Sequence, residues 1–121
     1  MRYRRCNQED ADLAYDETLA RRIRELMADK HSVVEKRMFG GIAFMLGGNM
    51  FCGIVRDDLM VRVGPERHEE ALAQPHARPM DFTGRPMRGM VYVGPEGLRS
   101  DADLNAWLGR GVEFSETLPP K

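Results

Sequence analysis

The sequence predicts a two-layer α+β domain, an antiparallel β-sheet with helices packed on one face. Three observations predict it. Short apolar runs recur from Val33 to Val93, and the earlier ones are separated only by breaks such as Gly47-Gly48-Asn49 and Arg56-Asp57-Asp58. Connections that short join strands as hairpins, so the pairing is antiparallel. Helical periodicity appears before, within and after this strand region, and helices laid on one face of an antiparallel sheet make two layers around one core.

Taken in order, residues 1–14 are polar and without periodicity, and are expected to form a loose leader; the domain proper is expected to span 15–121. In "YDETLARRIRELMADK", Leu19, Ile23, Leu26 and Met27 recur at helical spacing with charges on the opposite face. Asp16 is placed to cap this helix, and Glu17 suits its first turn. Strands are expected at Val33–Phe39, Ile42–Leu46, Met50–Val55 and Leu59–Val63. Alternation in "LMVRV" sends Leu59, Val61 and Val63 to one face and Met60 and Arg62 to the other.

"GPERHEEALAQ" reads as a short helix, with Pro65 pre-set for its first position. A strand near Met80–Phe82, a bend at Thr83-Gly84 and a strand at Gly89–Val93 follow; Pro79 and Pro86 keep both from being central along their full length. Ser100 and Asp103 resemble a capping box, and Leu104, Trp107 and Leu108 form one face of a last helix.

The stretch "KRMFGGIAFMLGGNMFCGIV" raises a choice between a phosphate cradle and bends in a sheet. A phosphate loop must lead from a strand into a helix, whose N-terminus holds the anion. Gly41 instead leads into "IAFML", an apolar strand. Gly47-Gly48-Asn49 has residues that tolerate positive φ in a hairpin turn, and Gly40-Gly41 marks a bulge or a close backbone approach.

The segment "EKRMFGGIAFMLGGNMFCGIVRDDLMVRVG", with "ARPMDFTGRPMRGMVYV" downstream, resembles the TfoX N-terminal domain family over roughly residues 15–118. Arg37-Met38-Phe39-Gly40-Gly41 before an apolar hairpin carries most of the likeness. The resemblance implies a small α+β fold related to secretion-chaperone-like domains that often pair as dimers. It also implies a role near transcriptional regulation of DNA uptake in members that carry a second, C-terminal helical domain. Stand-alone versions bring no established activity and no catalytic residues to carry over.

Net charge is −1 over 121 residues, so there is no overall basic excess of the kind a free-standing nucleic-acid binder displays. No apolar run is long enough to span a bilayer, and two cysteines without a framework point to a reducing compartment, so a cytoplasmic location is expected. His31, His68 and His76 with Cys6 and Cys52 match no zinc spacing, and no metal or cofactor is expected. His68 reads as solvated or half-buried. Cys52 reads as a core residue of a central strand, because a nucleophilic thiol needs a base beside it. No catalytic residue is assigned, and an enzyme is not expected.

Two site readings remain. In the first, the chain is a non-enzymatic regulatory or adaptor module that binds a protein partner and forms a homodimer. Its candidate contacts are Arg37, Met38, Phe39, Gly40, Gly41 and Met60. Met60 would lie on an outer sheet face, with Phe51 or Tyr92 near it, and that face would need a cover. In the second, Lys36, Arg37, Arg62, Arg78, Arg85 and Arg88 converge into a basic patch for a polyanion, a nucleic acid or a small ligand. Solvated charges at strand edges are the commoner use of such residues, and nucleic acid is not the favoured partner.

Overall fold

The computed structural model of the chain describes residues 15–29, 32–38, 40–82 and 85–119. The expected leader with Cys6, together with His31, Phe39 and the Thr83-Gly84 bend, lies outside the described residues.

Helix α1 runs Glu17–Leu26 and is followed by strands β1 (Val33–Met38), β2 (Gly41–Leu46), β3 (Asn49–Val55) and β4 (Asp58–Arg62). A 3-10 turn at Pro65–Arg67 enters helix α2 (His68–Leu72). Strands β5 (Ala77–Phe82) and β6 (Arg85–Val93), a second 3-10 turn at Pro95–Leu98 and helix α3 (Asp101–Ser115) complete the order. The strands form one sheet in the order β1-β2-β3-β4-β6-β5, every pair antiparallel.

Local chemistry accounts for most of these limits. The Asp16 carboxylate accepts from the backbone N–H groups of Thr18 and Leu19, and Ser100 Oγ accepts from Asp103 N–H at 3.0 Å, so both caps predicted from sequence are made. Gly47 and Gly48 have φ of +62° and +85° at the β2–β3 turn, the left-handed pair such a hairpin needs. Gly41 is a close approach: a Cβ there would lie 1.9 Å from the Ile54 carbonyl oxygen. Strands β5 and β6 extend beyond the predicted stretches. Pro79 is tolerated because β5 is an edge strand, and Pro86 because β4 pairs only with Met90–Val93 of β6.

All three helices contribute to one core on one sheet face. Leu19, Ala20 and Ile23 of α1, Ala71 of α2, and Leu104, Trp107, Leu108 and Val112 of α3 meet Phe44, Ile54, Leu59, Val61, Val91 and Val93. The approach of α3 to β3 is close enough that a Cβ on Gly111 would lie 2.3 Å from the Phe51 carbonyl oxygen. Ser115 Oγ donates to the Leu46 carbonyl and Asn49 donates to the Pro119 carbonyl, tying the end of the chain to the β2–β3 hairpin.

The expected place of Phe51 is corrected. Phe51 belongs to this helix-covered core, fully buried, and not to the outer face. The register between β2 and β3 shifts after Phe44, which pairs with Cys52 while Met45 pairs with Met50. Phe51 is the extra residue of the bulge, so it and Cys52 both turn inward and simple alternation fails there.

Candidate functional site

The face without a described helix is organised by the strand register. One transverse row reads Lys36, Ala43, Gly53, Met60, Tyr92 and Arg78 across all six strands. Met60 stands near its middle, opposite in direction to Leu59 and Val61, as alternation requires. It is nevertheless fully buried. With Met80 and Met90 it forms a second apolar cluster, against which Met50, Val55 and Tyr92 pack half-buried. Gly53 makes room for it, since a Cβ there would lie 2.6 Å from Met60 Cε. A molecule approaching this face therefore meets Met50 and Tyr92 before Met60. A neighbouring row, Val34, Met45 and Met50, is more open, and Val34 is 55% exposed.

The Arg37 corner lies at the sheet edge. Arg37 pairs with Ile42 and points to the helix side, its guanidinium 5.7 Å from the Tyr15 ring centroid; Lys36 points the other way. Burial, and then Glu17, holds the Tyr15 phenol above its ordinary range, against an opposing pull from Arg37 and Arg24. Gly40 is exposed with φ of +73°, and Gly41 is buried in its close approach. The side chain of Met38 and all of Phe39 lie outside what the structure describes. Met60 is two strands away from Gly41, so the candidate partner contacts fall into two places, an edge corner and a mid-sheet cluster.

The predicted basic patch is likewise divided. Lys36 and Arg78 end the same row at opposite edges of the sheet, five interstrand steps or roughly 24 Å apart along it. Arg78 is held by Asp58 at 2.8 Å and lies 5.3 Å from the Tyr92 ring centroid. The Arg85 side chain lies outside the described residues. Among the described side chains of the patch, only Arg62 and Arg88 come together: both line a hollow of about 100 Å³ with Gly64, Gly89 and Phe114. Arg62 stacks 5.3 Å from the Phe114 ring centroid. Adjoining that hollow, and sharing Gly64, Pro65 and Phe114 with it, a groove of about 500 Å³ runs between α3 and the β4–α2 connection, lined also by Val63, Arg67, Arg110 and Glu113. The sequence reading missed this cleft. Phe114 was not singled out, and the signal available was the Gly64-Pro65 step that turns the chain under it.

The candidate chemical groups resolve into structure. Cys52 is fully buried, and burial alone pushes its thiol well above the ordinary range, the reverse of what a nucleophile needs. His68 is buried, not solvated or half-buried as its place on a short helix implied. Its Nδ1 accepts from the Gly89 N–H at 2.9 Å, which makes it the support of the β4–β6 corner. Among the described residues, no group of three or more His, Cys, Asp or Glu side chains is arranged to hold a metal ion. No helix among them is long and apolar enough to cross a membrane.

The family model described as the TfoX N-terminal domain matches residues 25–115. No curated protein and no solved structure matches the chain.

Proposed function

The chain belongs to the TfoX N-terminal domain family, and from that premise we propose that it is a non-enzymatic, cytoplasmic regulatory or adaptor module that binds a protein partner and self-associates. The observation that supports self-association is the row Val34, Met45 and Met50, which leaves apolar surface open beside the Met60 cluster on the sheet face opposite the helices. Thioether side chains reshape at low cost, which suits a surface that must accept another molecule.

Sedimentation equilibrium tests this directly. The wild type is expected to show a dimer mass that Met50→Glu converts to a monomer mass while cooperative thermal unfolding is retained. A monomer mass at every concentration removes self-association. For the partner, capture from host extract with wild type and Arg37→Ala separates the two contact regions: a specific protein lost in the variant assigns the edge corner. Recovery of nucleic acid that falls away with salt supports the polyanion reading instead.

A further inference from the structure

We propose that the cleft around Phe114 is the docking site for a short acidic segment of a partner protein. The segment offers a carboxylate to Arg62 and Arg88 and an apolar side chain to the groove beside Pro65. This deepens the adaptor reading above and rests on it.

Charge selects the occupant. Four arginines and two glutamates line the two hollows. Arg67 lies 3.7 Å from Glu113 and 3.9 Å from Glu70, and Arg110 lies 4.0 Å from Glu70, so those two arginines already have carboxylates at hand. Among the described residues, Arg62 and Arg88 have no carboxylate at ion-pair distance. The positive charge left over is at the small hollow. The guanidinium of Arg62 is seated on the Phe114 ring, which orients its planar set of donors.

Shape supplies the second half. Gly64, Pro65 and Phe114 line both the small arginine-lined hollow and the larger groove, so the two adjoin. Neighbouring or alternate side chains of an extended peptide, at roughly 3.3 Å per residue, reach two adjoining hollows. The groove's volume of about 500 Å³ accommodates a large apolar side chain and the backbone next to it.

The cleft is also held in place before anything binds. Gly64 has φ of +87°, and a Cβ there would lie 2.5 Å from the Phe114 ring, so ring and turn lock each other. The N–H groups of Val63 and Gly64 both donate to the Gly89 carbonyl, at 2.8 and 3.1 Å, and the Gly89 N–H donates to buried His68. A floor pinned in this way loses little freedom on binding, which leaves more of the contact energy as affinity.

The test is selection of random phage-displayed peptides on the full chain, followed by titration of the selected peptides into wild type and Arg88→Glu. Arg88 is exposed, and an unchanged melting temperature shows that the variant folds. The expected result is enrichment of peptides pairing Asp or Glu with a nearby apolar residue, binding that weakens with salt, and a loss of about tenfold or more in Arg88→Glu, as removal of a charged hydrogen-bond donor implies. No enrichment, enrichment of peptides without an acid, or equal binding to both proteins overturns the proposal, as does an oligonucleotide that occupies this cleft in preference to the peptides. The same variant separates this proposal from its premise. A native partner captured equally by wild type and Arg88→Glu sinks the cleft and leaves the adaptor reading standing, whereas failure of the wild type to capture any partner removes the adaptor reading.

Discussion

The two faces of the sheet solve different problems with different side chains. The helix-covered face is filled by Phe44, Phe51, Ile54, Leu59, Val61 and Val93 under Trp107 and Leu108. Branched and aromatic shapes have few rotamers, and they interlock with helices that stand at fixed positions. The other face is built on Met60, Met80 and Met90, with the small residues Gly53 and Ala43 next to Met60 in its row. Unbranched thioethers fill irregular space without demanding one geometry. Burial alone therefore does not distinguish the faces, since Phe51 and Met60 are equally inaccessible. What distinguishes them is how much shape each side chain imposes on its neighbours.

Substitutions measure that contrast. Phe51→Ala is expected to cost about 3–5 kcal/mol in denaturant unfolding, because the bulge fixes the site and the surrounding rings and helices cannot collapse into the cavity. Met60→Ala should cost about 2–3 kcal/mol, while Met60→Leu stays under about 1.5 kcal/mol, as volume-conserving swaps do in an adaptable cluster. If Met60→Leu costs as much as Met60→Ala, the outer cluster is as shape-specific as the inner core and the contrast fails. Gly111→Ala is expected to cost about 1–3 kcal/mol by pushing α3 away from β3, an overpacking effect confined to the helix-covered face.

Cys52 gives the pH arm of the comparison. Burial raises the folded thiol above the unfolded value of about 8.5, so the folded chain keeps the proton that the unfolded chain has released. Stability from this group is whole below about pH 8.5 and is lost as pH rises above it, at about 1.4 kcal/mol per pH unit. Cys52→Ala should flatten that limb in denaturant midpoints taken from pH 7 to 10. An unchanged slope would show that the thiol is not shielded. The smallest effect belongs to the surface: Arg24→Gln, which breaks the two-pronged pair with Glu35 at 2.7 and 2.9 Å, should cost only about 0.2–1 kcal/mol and less in high salt.

Much of the fold was legible in the residues. The caps at Asp16 and Ser100 and the Gly47-Gly48 turn are met by atoms within a few residues, and the alternation of Leu59 to Val63 and the apolar stripe of α3 are periodicities each segment carries by itself. The candidate site was legible only in part. Met60 was placed on the correct face but with the wrong surroundings, because its burial depends on Met80 and Met90, which reach it from strands distant in sequence. Phe51 was misplaced because a bulge is a property of two paired strands, not of one. His68 was read from its own short helix, while its partner, Gly89, is in β6.

The sequence by itself determined the class of fold, the antiparallel pairing and the ends of most elements, since turn, cap and periodicity act over distances the chain covers in one or two turns. It also determined that Cys52 is core. Only the tertiary structure decided which arginines share a site. The strand order β1-β2-β3-β4-β6-β5 sends Lys36 and Arg78 to opposite edges, while β4, β6 and the end of α3 bring Arg62, Arg88 and Phe114 to one cleft. Charge in a sequence has no position until long-range pairing supplies one, and pairing order follows from the packing of the whole chain and not from any segment of it.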